Sequence, residues 1–377
     1  MGFILGRMDL DNNATWLEID LAALQSNYLK LGEITGTPVM PVVKANAYGH
    51  GLEDVARRFE KAGADWCGVA RIEEALTLRN AGIMNKILVL GYTPPQRVPD
   101  ALKNEIHLTV YDHQVAEAYA DQARAFNRRL ALHVKVETGM GRLGIKPDNA
   151  LEFLATLNDK PEFDIEGLFT HFARADEPGS PSTDSQLEIF LKILREAEKN
   201  ALKPRWIHAA NSAAALNFPK SRFDIVRSGI ALYGIPPSNE TTLPAEFKPV
   251  LSWKTRVISI KTLPSGHGVS YGHKYKTNTN ERIGVIAAGY GDGLRRQEGN
   301  HVLVRGKRTD IVGSVCMDQC MISLQNLPEV CVGDEVVLIG QQNGSRISAE
   351  DVARVWHTIP YEVVCAMAAR MPRCIVG

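Results

Sequence analysis

No stretch of this sequence comes near the ~20 consecutive apolar residues that cross a bilayer, so a membrane-spanning helix is not expected. The first ten residues hold only three apolar residues in a row, at 3–5, too few for the apolar region of a secretory signal. Net charge is missing as well: 43 Lys and Arg against 43 Asp and Glu leave a formal charge of zero. Without a basic excess to neutralise a phosphate backbone, nucleic acid is not expected as the main partner, although a small local anion site remains open. The six cysteines, at 67, 316, 320, 331, 365 and 374, follow no metal-ligand spacing, and Cys316 and Cys320 stand four apart rather than in a zinc knuckle. They read as reduced thiols of a cytoplasmic protein, and no metal is expected. Disorder and low complexity do not fit 45% hydrophobic and 23% charged residues over 377 positions. That composition supports a large core and, at this length, two domains.

What is present is a series of short, nearly continuous apolar runs at 39–44, 65–70, 86–91, 106–111, 130–136, 165–171, 206–210 and 225–232. Segments of helical period, such as 52–63 and 187–201, lie between most of them. Continuous rather than alternating apolar strands indicate a parallel sheet covered by helices, and eight such units predict a (β/α)8 barrel. The character changes at 234–246 (GIPPSNETTLPAE), beyond which short strands are expected at 254–262, 283–288, 301–304, 310–313 and 335–339, with a helical turn at 348–355. The fold class is therefore α/β plus β. An extension occupies 1–14, a barrel 15–245 (its first strand open to pairing with the other domain), and a mainly β domain 246–377.

Barrel chemistry sits at the C-terminal ends of the strands. By position alone that face holds Lys44 and Tyr48 after the first run, Arg142 past the fifth and His171 after the sixth. Asn211 and Ser212 follow the seventh run, and Arg227 lies within the eighth. Lys44 reads either as an amine whose pKa is lowered for Schiff-base chemistry or as a surface lysine snorkelling at a strand end. Asn211, Ser212, Gly229 and Ile230 suit phosphate donors after strands seven and eight. Tight-packing glycines and a helix cap at Ser212 account for them equally well.

Taken together, these segments carry a resemblance. VKANAYGHG (43–51) resembles the pyridoxal-phosphate attachment motif of the alanine racemases. The likeness continues through KVETGMGRLG (135–144), HFA (171–173), HAANSAA (208–214) and RSGIALYG (227–234). It extends to VSYG (269–272), AGYGDG (288–293), CMD (316–318) and IPYE (359–362), across essentially the whole chain.

The resemblance implies a fold-type III enzyme that interconverts L- and D-alanine with pyridoxal 5′-phosphate, supplying D-alanine for peptidoglycan. Lys44 would carry the cofactor and serve as one base, with Tyr271 as the base on the opposite face. A phenol, with a reference pKa near 10, needs help in that role, and His171 would hydrogen-bond it. Arg142 would engage the substrate carboxylate or the cofactor's phenolic oxygen. Arg227 would face the pyridine nitrogen and, remaining protonated, keep that nitrogen an acceptor, which limits side reactions such as transamination. Tyr48, Ser212, Gly229, Ile230 and Tyr361 would hold the phosphate. Met317 and Asp318 would line the substrate side, and Tyr290 and Tyr361 the access gate. Tyr271 and Met317 would reach the partner's cofactor, implying a homodimer with shared active sites. Lys135 matches a position carbamylated in some members, where an anion would orient Arg142; a plain lysine paired with Glu137 is the alternative.

Two places depart from the family pattern, Arg174 and the stretch 368–371 (AARM), and both bear on substrate breadth, serine included. Three rivals are weighed: a decarboxylase of the same architecture, a protein that only carries the cofactor, and a cofactor-free Schiff-base aldolase. The first would set an acidic residue where Arg227 stands, the second lacks a second domain, and the third leaves the phosphate donors unexplained.

Overall fold

The computed structural model describes residues 12–377, so most of the extension expected at 1–14 lies outside the described residues. The chain divides into two compact units, one spanning Leu24–Lys248 and the other combining 12–23 with Pro249–Gly377. The first strand of the chain, β1 (Thr15–Asp20), belongs to the second unit, where it pairs antiparallel with the strand that opens at Leu251.

In the unit Leu24–Lys248 the eight expected strands are all present. They are β2 (Val39–Pro41), β3 (Trp66–Val69), β4 (Lys86–Val89), β5 (Ile106–Val110), β6 (Leu130–Lys135), β7 (Phe163–Phe169), β8 (Trp206–His208) and β9 (Val226–Ser228). β3 to β8 form one parallel sheet in chain order, and β2 pairs parallel with β9. Backbone bonds from Val43 N–H to Gly68 O (2.8 Å) and from Arg227 N–H to Ala210 O (3.0 Å) close the ring on both sides. The result is a (β/α)8 barrel. Its helices bury one stripe each: Leu52–Lys61 turns Leu52, Val55, Ala56 and Phe59 inward, the i, i+3, i+4, i+7 spacing of an amphipathic helix. Met40, Trp66, Leu88 and Ile225 make an apolar cluster with Leu90 and Trp206. The strand dipeptide Gly167–Leu168 lies next to a slip in register, because Leu132 pairs with Ile165 but His133 pairs with Gly167. Glu166 is left outside the ladder.

The second unit is built around β10 (Leu251–Leu263), β13 (Glu281–Ile286), β14 (His301–Val304), β15 (Lys307–Val312), β16 (Cys320–Ser323) and β17 (Glu335–Gln342). A hairpin of two short strands, β11 (Gly268–Val269) and β12 (Tyr275–Lys276), intervenes after β10. The pairings β10–β13–β16–β15–β14–β17–β10 return to their start, a closed ring of six antiparallel strands. β18 (Ser345–Ile347) extends β17, and β19 (Arg373–Val376) lies parallel to β1. β16, β18 and β19 were not expected from the sequence. Each is three or four residues long, too short for a period to stand out in the sequence. Among the described residues no helix is long and apolar enough to cross a membrane.

Candidate active site

Lys44 follows β2 at the mouth of the barrel and is half-buried. The chain behind it does something the sequence does not announce. Ala45, Asn46, Ala47 and Tyr48 all have φ between 52° and 55°, a single turn of left-handed helix made by residues other than glycine. Each such residue costs roughly 1–2 kcal/mol, so the surroundings must impose the shape. They do so with polar groups. Glu74 accepts from Ala45 N–H (2.6 Å) with one carboxylate oxygen, and from the N–H groups of Ala70 (2.8 Å) and Arg71 (3.1 Å) with the other. Asn46 Oδ1 accepts from Leu52 N–H at 2.8 Å. The His50 ring, buried against Tyr233, meets the carbonyls of Ala47 and Tyr48. Replacing Glu74 by alanine is expected to lower the unfolding free energy by about 2 kcal/mol, since one carboxylate satisfies three donors. Glu74→Gln, which keeps one acceptor oxygen, is expected to lose distinctly less; equal thermal stability of both variants and the parent would show that the turn is held otherwise.

Phosphate-sized donors gather where β8 and β9 end. Ser212, the first residue of a short helix, lies 3.1 Å from Ser228 Oγ and accepts from Gly229 N–H at 3.0 Å. The capping residue of that helix is Asn211 rather than Ser212, because Asn211 Oδ1 accepts from Ala214 N–H. A Cβ built on Gly229 would fall 2.3 Å from the Tyr48 hydroxyl, so only glycine lets that phenol approach the backbone here. Tyr48, Ser212 and the Gly229–Ile230 backbone therefore converge on one spot, and the buried hydroxyl of Ser228 joins them.

Arg227 is buried beneath this spot. One terminal nitrogen donates to His208 Nδ1 (3.0 Å), and the other meets the carbonyls of Thr170 (2.8 Å) and Ala209 (3.0 Å) and His171 Nδ1 (3.3 Å). Nε has no hydrogen-bond partner among the described residues. Burial and the nearby Arg142 pull this guanidinium down to about 9, which still leaves it charged at neutral pH. Lys135 is 5% exposed, and burial followed by Arg142 and Arg227 draws its amine down to about 8. Glu137 does not pair with it. Its carboxylate is spent on the loop that carries Arg142, accepting from the N–H groups of Gly139 (2.5 Å) and Arg142 (3.0 Å). The Arg142 side chain is exposed at the mouth. His171 is held well below the usual imidazole range, first by burial and then by Arg227, Arg142, Lys135 and Lys44. Four cations thus crowd one neutral imidazole, in a chain whose overall charge is zero. The mouth of this barrel suits a small, multiply anionic ligand.

The remaining expected site residues lie in the other unit. Tyr271 does not sit in a strand but opens a one-turn 3₁₀ segment after Ser270, whose φ is +64°. Ser270 Oγ donates to Ser314 O (2.6 Å), Ser314 Oγ donates to Tyr271 O (3.0 Å), and Tyr290 N–H donates to Cys316 O (3.0 Å). These bonds gather Tyr271, Tyr290 and Met317 on neighbouring loops, where their side chains are 70%, 46% and 52% exposed. Arg370 fixes the base of the group by bonding Asp292 and Asp318, both at 2.8 Å. Tyr361 is the second residue of the helix Pro360–Cys365. Arg174, one of the departures noted above, forms an exposed ion pair with Glu177. Among the described residues no disulfide joins the cysteines, and no cluster of metal-ligating side chains occurs. Sequence reasoning missed Glu74, His208 and Ser228. The HAANS segment did contain the histidine, but nothing in its spacing tied it to Arg227.

Comparison with known proteins covers both units. The family model described as "Alanine racemase, N-terminal domain" matches residues 19–237, and that of the C-terminal domain matches 250–375. An alanine racemase from Symbiobacterium thermophilum is 44% identical over 374 residues, covering 98% of this chain and 99% of the relative. Among solved structures, alanine racemase from Streptomyces lavendulae superposes with a TM-score of 0.92 at 37% identity, covering 97% of each chain. The Bacillus anthracis alanine racemase with bound L-Ala-P does so with a TM-score of 0.92 at 41% identity, covering 97% of this chain and 95% of that one.

Proposed function

The chain belongs to the alanine racemase family and interconverts L- and D-alanine, and we propose that it does so with Lys44 and Tyr271 as two bases on opposite faces of the substrate. The observation that carries this reading is the buried Arg227, charged at neutral pH and with Nε unspent, next in sequence to the Ser228–Ile230 donors. Those residues fit pyridoxal 5′-phosphate. Tyr48, Ser212, Gly229 and Ile230, with Tyr361, would hold its phosphate, Asn211 would shape the wall beside them, Lys44 would anchor it, and Arg227 would face its ring nitrogen. When bound, the cofactor supplies the electron-withdrawing ring that makes the alanine Cα–H acidic.

This chain's own residues then manage the proton. One base removes the Cα proton from one face and the other returns a proton on the opposite face. Arg227 is an obligatory donor, so His171 Nδ1 accepts and the neutral ring carries its proton on Nε2. In the proposed dimer that N–H would steady the phenolate of the partner subunit's Tyr271. Arg142, at the mouth, would bind the alanine carboxylate, with Met317 and Asp318 lining the substrate side and Tyr290 narrowing the approach. The exposed cluster of Tyr271, Tyr290 and Met317 supports a homodimer with shared sites, because a patch of large apolar side chains calls for a partner. Six cysteines without a disulfide among the described residues support a cytoplasmic setting, where D-alanine would feed peptidoglycan synthesis.

Lys135 is read as N6-carboxylysine. A buried amine drawn down to about 8 is about half free base near that pH, and the free base can add carbon dioxide with release of one proton. The carbamate would pair with Arg142, a role Glu137 is not free to take. Three additional atoms of electron density on Nζ are expected; a bare ammonium would overturn the assignment.

Incubating the purified protein with L-alanine in heavy water tests the whole reading. D-alanine carrying deuterium at Cα, resolved by chiral chromatography, is the expected product. A yellow, cofactor-loaded protein that leaves alanine unchanged would keep the cofactor reading and overturn the substrate.

A further inference from the structure

We propose that His133, deep in the barrel, is a positioning residue for Arg227, acting through the tautomer of His208. The inference rests on Arg227 facing the cofactor's ring nitrogen and extends that reading inward. His208 lies between the two residues. Its Nδ1 meets Arg227 at 3.0 Å and its Nε2 meets His133 Nδ1 at 2.9 Å. An arginine can only donate, so His208 Nδ1 must accept. His208 is fully buried and held neutral by burial and by Arg227, so its single proton sits on Nε2. That proton is donated to His133 Nδ1, which must therefore be bare, and His133, also buried and neutral, carries its own proton on Nε2. Arg227 at one nitrogen of His208 and the bare Nδ1 of His133 at the other thus favour the same tautomer together. Phe169 fixes the His208 ring from its flat side, stacked at 4.7 Å and 8°.

The strand geometry is arranged around His133. The slip between β6 and β7 sets Gly167 rather than Glu166 opposite it, and bulges re-aim side chains in this way. A Cβ on Gly167 would lie 2.2 Å from His133 Nδ1, so only glycine leaves room for the ring. The displaced Glu166 pairs with Lys86 (2.9 Å) instead and lies 3.3 Å from His107 Nε2, and no carboxylate touches His133. Its Nε2 has no partner among the described residues and faces a region where Trp66 and His107 meet it edge to face. The relay therefore ends at His133, whose one hydrogen bond is the acceptor that holds the proton of His208 on Nε2. Without that acceptor, His208 is free to move its proton to Nδ1, where it opposes the Arg227 N–H.

The experiment compares the full-length protein with His133→Leu and His133→Asn. Leucine fills the volume without an acceptor, while asparagine places an amide oxygen near the position of Nδ1. Nitrogen-15 spectra of selectively labelled histidines report the tautomers, and alanine turnover reports racemisation against pyruvate released by transamination. The expected result is His208 with its proton on Nε2 in the parent and in His133→Asn, but not in His133→Leu. His133→Leu is expected to lose about tenfold in kcat, the order of one lost hydrogen bond, with KM little changed and with more pyruvate per racemisation. A packing role predicts the reverse ranking, leucine better than asparagine, and would overturn the proposal. So would a parent His208 protonated on Nδ1 or on both nitrogens. The expected spectra with an unchanged product ratio would support the relay but overturn the placement of Arg227 at the ring nitrogen.

Discussion

Lys44→Ala is expected to lower alanine racemisation by about 10⁴-fold, the upper range for loss of a catalytic base, and to abolish covalent retention of the cofactor. Both follow from one position. Lys44 is the half-buried amine at the mouth of the barrel, close enough to Lys135 and His171 to depress both. Reduction with borohydride followed by denaturation reads the second effect: the parent should keep the chromophore on the peptide containing Lys44, and the variant should release it. A covalent adduct at another residue would overturn the assignment. Methylamine supplied in solution can stand in for the amine as an exchange partner but not as a base on a fixed face. Partial recovery of cofactor exchange without recovery of racemisation is therefore expected.

Tyr271→Phe should be almost as damaging, and unequally so. Loss of the phenol removes the base from one face only, so removal of the Cα proton should fall far more from one enantiomer than from the other, by about 10² to 10⁴. Equal small losses in both directions would count against two bases. Mixing this variant with Lys44→Ala makes a sharper test. If each site combines Lys44 of one subunit with the partner subunit's Tyr271, a hybrid dimer has one site lacking both bases and one site intact. With random exchange in a two-fold dimer, about a quarter of the parent activity should return. If both bases came from the same chain, the mixture would stay inactive. The exposed setting of Tyr271, on a turn tied to Ser314 rather than packed into its own unit, is what makes restoration the expected result.

The barrel was legible in the sequence because parallel strands, covered on the outside by helices, read as plain apolar runs; all eight appear where those runs lie. Strands of the other unit were harder to read. β16 is a four-residue piece of alternating burial preceded by Asp318 and Gln319, too short for a period to emerge. Candidate site residues stood out where a polar group closes an apolar run, as Lys44 and His171 do, or interrupts one, as Arg227 does. What supports them did not. Glu74 sits on a helix some thirty residues from the turn it holds, and in sequence it is one more acidic residue in a first turn. His133 stands inside an apolar run and His208 inside HAANSAA, and nothing around either residue in the sequence marks the two as a pair. Their pairing depends on a register slip between β6 and β7, a property of two strands together that neither segment carries alone.

The left-handed turn after Lys44 has a consequence for anyone who would evolve this protein in the laboratory. Four successive residues there occupy a region that glycine enters freely and alanine does not, so glycine at 45 or 47 would relieve local strain of roughly 1 kcal/mol apiece, whereas Asn46 tolerates the region and is needed for its bond to Leu52. A screen that rewards heat resistance would find those changes attractive. Each would also multiply the shapes open to the segment that aims the lysine amine, and the amine would then spend less of its time on line with the substrate. Selection for robustness and selection for turnover would pull in opposite directions at these two positions.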